Sequence, residues 1–155
     1  MYPYHMEMLD PLDCPYYLVS RATLVITSAL KLEFAQAGVG EVKPAYLGSL
    51  LVLWRDGDMK AVELGRRAGL EPSTMTGLLD RMEQGGLILR RPDPDDRRAQ
   101  IIQLTVAAQK IRPKVMKILQ KTLELILDDV SPAELETSKR VMRRILSNAQ
   151  RGENQ

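Results

Sequence analysis

The chain has little of what most catalytic and metal chemistry requires. Its 155 residues include one cysteine and one histidine. A single cysteine excludes an internal disulfide. One histidine and one cysteine do not supply the ligands of a zinc site within one chain. No histidine is paired with a nucleophile, no glycine-rich run forms a phosphate loop and no metal-ligand cluster is present. No enzyme constellation, metal or cofactor is therefore expected. Aromatic residues make up 5% of the chain, which argues against stacking on single-stranded bases. Net charge is +2, too slight to identify a polyanion binder without knowing where the charges lie. Long apolar runs are also missing. The longest, around Ala22 to Leu30 and Pro44 to Trp54, are too short to span a bilayer. Met1 to Asp13 carries prolines and acids but no basic start leading into an apolar run, so no targeting segment is expected. The chain reads as soluble and cytoplasmic, of a length that suits one domain with helical extensions.

What is present is concentrated between Pro72 and Leu104. Pro72 or Ser73 can open a helix there, because proline lacks an N–H that the first turn would leave unbonded anyway. Gly85-Gly86 supplies the stop. Met75, Leu78, Leu79 and Met82 fall at i, i+3, i+4 and i+7 and predict one apolar stripe. Ser73, Thr74, Thr76, Gly77 and Arg81 lie mostly off that stripe. Small and donor-bearing residues near a helix start are what a major groove admits: little bulk, with hydroxyl and guanidinium groups for base edges and phosphates. An ordinary surface helix, polar on one side, has the same pattern.

The segment that follows favours the first reading. Two β-type runs, Leu87 to Arg91 and Ala99 to Leu104, flank a loop that Pro92 and Pro94 should break and stiffen. A tip of Asp95, Asp96, Arg97 and Arg98 is too charged to be buried. Asp95 is expected to pin one arginine across the tip, leaving the other guanidinium directed outward to a phosphate or a minor groove. A helix followed by a β-hairpin with a cationic tip is a winged helix-turn-helix. Met59 to Leu70 supplies the preceding helix and a turn at Gly69.

The motifs Ala61-Val62-Glu63-Leu64-Gly65-Arg66-Arg67-Ala68-Gly69-Leu70, Pro72-Ser73-Thr74-Met75-Thr76 and Leu78-Leu79-Asp80-Arg81-Met82-Glu83 resemble the MarR family of bacterial transcriptional regulators. So do Gly86-Leu87-Ile88, the wing Asp93-Pro94-Asp95-Asp96-Arg97-Arg98 and the exit Leu104-Thr105. The resemblance covers roughly Lys43 to Thr105. It departs at Lys60-Ala61, where the family often has a capping Ser or Thr. It departs again at Ala107-Ala108, where a charged residue and Gly are usual.

Around this lobe the sequence predicts helices. One starts at Asp13-Cys14-Pro15, carries the stripe Leu18, Ala22, Val25, Ala29 and Leu32, and ends at Gly38 and Gly40. Another opens at Pro44, with Leu47, Leu50, Leu51 and Trp54 on one side. Asp56-Gly57-Asp58 is a turn, and Met59-Lys60 can add a very short strand. Ala61 to Ala68 lacks an N-cap, and Gly65 lets the next helix cross closely. A long helix follows Thr105 to about Asp128, with Pro113 expected to bend it. Ser131-Pro132-Ala133-Glu134 is a capping box that starts a last helix to about Asn148, followed by a frayed tail.

The expected fold is mostly α with a small β-wing, organised as an N-terminal dimerisation helix over 1–40, the DNA-binding lobe over 41–105 and C-terminal dimerisation helices over 106–155. The terminal helices carry more apolar surface than a winged helix needs, which suggests a partner chain. The expected function is a homodimeric, sequence-specific regulator of double-stranded DNA, a repressor on a palindromic operator. Ser73, Thr74, Thr76, Gly77 and Arg81 are its reading residues, and Arg91, Arg97 and Arg98 its wing contacts. The resemblance implies dimerisation through the terminal helices and a small aromatic or phenolic effector, for which Arg21, Tyr46 and Trp54 are the candidate contacts. Two alternatives stand: a winged-helix protein-interaction module that does not read DNA, and a peroxide-responsive switch through Cys14, next to a helix start.

Overall fold

The computed structural model describes residues 10–152. Two compact units are present, one ending at Thr122 and the other beginning at Leu123. Six helices and three strands follow in order: α1 (Pro15–Gln36), α2 (Leu47–Asp56), β1 (Met59–Lys60), α3 (Ala61–Ala68), α4 (Pro72–Gln84), β2 (Ile88–Pro92), β3 (Gln100–Leu104), α5 (Val106–Ile126) and α6 (Pro132–Gly152). The winged helix-turn-helix pattern expected from the sequence is present.

α1 has two apolar faces, and only one meets the core of its own unit. Leu30 and Phe34 are buried and Ile26 packs against them, an i, i+4 row. The stripe expected from Leu18 to Leu32 is offset from that row. Leu18, Val25 and Leu32 stay 45%, 53% and 57% exposed, so this stripe is not core. Pro44 opens a short 3-10 turn, Pro44–Tyr46, and α2 proper begins at Leu47.

α3 lacks a side-chain N-cap, as expected. It ends at Gly69, whose φ of 69° lies in the left-handed region that glycine enters without strain. The Leu70 N–H then returns to the Gly65 carbonyl at 2.9 Å, which closes the turn into α4. A Cβ placed on Gly65 would lie 3.0 Å from Met75 Cγ, so the missing side chain is what lets α3 and α4 approach. α4 buries Met75, Leu78, Leu79 and Met82, the stripe expected from the sequence. At its far end Gly86 donates to the Glu83 carbonyl and Leu87 to that of Met82, a Schellman closure.

The sheet has the order β1-β3-β2 and is antiparallel throughout. β2 runs one residue later than expected and includes Pro92, paired with Gln100. Proline is tolerated there because β2 is an edge strand and Pro92 is its last residue. The short strand at Met59-Lys60 is present and pairs with Ile102 and Ile101. Thr105 links the hairpin to α5: its hydroxyl donates to the Gly86 carbonyl at 2.7 Å and accepts from the Ala108 N–H at 3.0 Å. α5 runs unbroken through Pro113.

In the second unit the capping box forms. The Ser131 N–H and hydroxyl both donate to Glu134 Oε2, at 2.9 and 2.6 Å, and the Glu134 N–H returns to Ser131 Oγ at 3.3 Å. α6 continues to Gly152, past the expected stop at Asn148. It exposes Val141, Met142, Ile145 and Leu146.

Candidate nucleic-acid interface

α4 is anchored by its buried stripe and leaves a polar row outside. Ser73, Thr74, Thr76 and Arg81 are exposed, and Gly77 is half-buried between them. Each buried leucine of the stripe stabilises the lobe by about 1.5–3 kcal/mol, enough to hold the helix without help from the polar side. Pro72 occupies the first helical position after Glu71, and no side chain caps this end. The first-turn N–H groups therefore lack intrahelical partners, and the helix dipole is positive where they point. Such an end receives an anion. Thr76 bonds back weakly to the Pro72 carbonyl at 3.4 Å. Among the described residues, no acid pairs with Arg81 within salt-bridge distance.

The wing tip follows β2. Arg97 and Arg98 are exposed, and among the described residues neither has an acid within salt-bridge distance. Two Asx turns shape the tip: Asp93 Oδ1 accepts from the Asp95 N–H at 2.9 Å and Asp96 Oδ1 from the Arg98 N–H at 3.0 Å. Among the described residues, Asp95 pins no arginine across the tip; the acid that holds the wing is Asp93, through Lys60 of β1. Asp95 stays exposed, whereas Asp93 is buried where the edge strand ends and pairs with Lys60 Nζ of β1 at 2.8 Å. The sequence signal for this was available: an Asp between two prolines, with a backbone N–H two residues on.

The other arginines nearby are engaged. Arg91, expected at the DNA, pairs with Asp58 Oδ2 at 3.0 Å. Arg67 pairs with Asp56 at 2.8 Å and Glu63 at 2.5 Å, and Arg66 with Glu63 at 2.7 Å. These two guanidinium groups hold the Glu63 carboxyl down at about 2. Arg90, which the sequence reading did not single out, contacts Asp80 and also Glu83 Oε2, the latter at 2.9 Å. Both acids lie on α4.

The wing staple predicts a pH response. The Lys60 ammonium, with the Asp95 N–H second, holds the Asp93 carboxyl below the usual carboxylate range. A carboxyl depressed by folding adds stability above its unfolded value of about 4, and that stability is lost as pH falls through the folded value. Melting of the native protein and of Asp93→Asn should therefore differ at pH 6 and converge as the pH is taken down from about 4. An unchanging gap would mean that the ion pair contributes nothing.

The remaining candidates are scattered. Tyr46 and Trp54 are buried in the core, and the Trp54 indole N–H donates to the Ala108 carbonyl at 3.2 Å. Arg21 is exposed on α1. Trp54 lines an open cleft between α2 and α5, beside Arg112 and Met116. Cys14 is half-exposed at the N-cap of α1, and its thiol makes no cap bond. Among the described residues no helix is long and apolar enough to cross a membrane.

The model of the MarR family matches residues 49–99, which span α2, α3, α4 and the wing tip. Two curated Bacillus subtilis (strain 168) proteins are similar. The HTH-type transcriptional regulator YcgE is 36% identical over 83 residues, 53% of this chain and 54% of that protein. The HTH-type transcriptional regulator YfiV is 33% identical over 106 residues, 66% of this chain and 66% of that protein. The matches thus span between about half and two thirds of the length of these relatives. Among solved structures, the transcriptional repressor CouR, solved bound to a 23-mer DNA duplex, superposes with a TM-score of 0.77 at 19% identity, over 92% of this chain and 99% of that one. With its motifs in order, its wing built and its reading helix framed as described, the chain belongs to the MarR family.

Proposed function

We propose that the protein is a sequence-specific regulator of transcription that binds double-stranded DNA as a homodimer, represses from a palindromic operator and works in the cytoplasm. One observation carries this reading: of the ten cations in residues 41–105, six pair with an acid, and three of the other four lie on the outward side of α4 (Arg81) and at the wing tip (Arg97, Arg98), the fourth, Lys43, donating to the Gly40 carbonyl. Ser73, Thr74 and Thr76 offer hydroxyls to base edges, Gly77 gives the backbone room, and the uncapped start of α4 takes a phosphate. The wing arginines meet phosphate or a groove edge. A protein-interaction module has no need of that distribution. The repressor CouR supports the reading, because its similar fold was solved on a duplex. Two-fold pairing is supported by the exposed apolar stripe of α1 and, separately, by that of α6. Release by a small aromatic or phenolic ligand belongs to the same reading. The cleft at Trp54 and Arg112 offers an indole and a guanidinium to such a molecule.

Selection of bound duplexes from a random DNA pool tests the proposal. The expected product is a palindrome whose half-sites are about 34 Å apart, one helical turn. A single half-site would contradict the dimer, and no enrichment would leave the interaction module as the better reading. Replacing both Arg97 and Arg98 with Ala should weaken binding to every sequence alike. The slope of log affinity against log salt should shrink by about one unit per lost phosphate contact. An unchanged slope would take the wing off the DNA.

A further inference from the structure

We propose that Arg90 is a positioning residue that sets the angle between the wing and the reading helix and contacts no phosphate itself. The inference rests on the DNA-binding reading above. By sequence Arg90 stands beside Arg91 in an arginine-rich strand and looks like one more phosphate contact. Strand alternation separates the two. Ile88 is fully buried, Leu89 is half exposed, and Arg90 turns back to the Ile88 face, opposite buried Ile102 of β3. Its side chain is only 18% exposed. There the guanidinium contacts Asp80 and Glu83, at i and i+3 on α4. One rigid planar group thus ties two successive points of the reading helix to the middle of the wing strand. The Nη2 contact to Asp80 is a directed hydrogen bond, whereas Nε lies 2.9 Å from Glu83 Oε2 as an ion pair without hydrogen-bond alignment, so the tie is one directed bond and one charge contact.

The two acids make the arrangement informative. Asp80 and Glu83 retain 51% and 42% exposure on a helix that meets a polyanion, where bare carboxylates would repel phosphate. Arg90 neutralises them, but neutralisation alone would be met by any cation in reach. The bridging geometry does more. It keeps Arg81 and the α4 hydroxyls in register with Arg97 and Arg98, so that base and phosphate contacts form together.

The test measures affinity for the selected duplex and for a scrambled duplex across a range of salt, with melting alongside. In R90A the ratio of the two affinities should fall roughly tenfold, as for a mismatched base pair. The salt slope should stay native, because no phosphate contact is lost. R90K should recover part of the ratio. The triple variant D80N/E83Q/R90L removes the exposed charge as well as the bridge, and should discriminate as poorly as R90A. A slope reduced by about one unit in R90A would make Arg90 a phosphate contact and overturn the proposal. A native ratio in the triple variant would reduce Arg90 to a charge mask and overturn it too. Should R90A melt below the assay temperature, R90K and D80N carry the comparison, and a native ratio in both overturns the proposal. Failure of the native protein to bind any duplex defeats the DNA reading and this inference together. Native binding with an unchanged ratio in R90A defeats this inference alone.

Discussion

Gly77→Glu should abolish operator binding while leaving the protein folded. Gly77 lies in the exposed row of α4, and a Cβ added there meets only Arg81 Nη1 at 3.2 Å, the free end of a flexible side chain. The substitution also removes a helix-interior glycine, worth about 1 kcal/mol in favour of the helix relative to Gly. Melting should therefore stay level or rise slightly. Binding should not survive, because two methylenes and a carboxylate are inserted where the helix backbone meets a polyanion. Like charge at a contact costs several kcal/mol, so affinity should fall roughly a hundredfold or more. Gly77→Ala, with bulk and no charge, should lie between. The reading-helix assignment is falsified if Gly77→Glu melts as the native protein does and still binds the selected duplex with native affinity.

The neighbouring position should fail in the opposite way. Leu78 is 2% exposed and sits in the stripe that holds α4 to the lobe. Leu78→Glu places a carboxylate there with no cation to meet it. The cost is on the order of 5 kcal/mol, comparable to the whole stability of a small domain. The lobe should lose its cooperative melt and its DNA binding together, and protonating the carboxylate at low pH should restore part of the fold. A folded Leu78→Glu with native melting would mean that the stripe is not buried. Adjacent residues thus separate reading from folding.

Much of the lobe could be read from the chain because its signals are local. The stripe from Met75 to Met82, the turn at Gly69 and the stop at Gly85-Gly86 each need only a few neighbours in sequence, as does the Ser131–Glu134 box outside the lobe. The outward row of α4 followed from the same periodicity. The rest depended on distant partners. The stripe from Leu18 to Leu32 is legible from periodicity, but the second row of α1, Ile26, Leu30 and Phe34, is selected as core only by contact with the lobe. The wing staple was placed on Asp95 because the tip was read as a loop in isolation. The partner that selects Asp93 is Lys60, 33 residues earlier and brought near by the pairing of β1 with β3. Arg90 was missed although period-2 alternation from Ile88 already turns it inward. Its acids on α4 become visible only once helix and strand are packed.

Between residues 41 and 105, acids and bases are equal in number, and most of the cations there are tied to acids of the lobe. A consequence concerns how long the protein stays on the wrong DNA. Residence on random sequence is set almost entirely by cations that displace counterions from the backbone. With six of the ten cations engaged by acids, weak and short-lived binding of the lobe to random duplex is the expected result. Target location then proceeds by many short encounters through solution, with little travel along the helix, and occupancy of an operator tracks the free concentration of protein. On the DNA-binding reading proposed above, a regulator built this way should respond promptly to a change in its own concentration, because non-target sites should retain little of it.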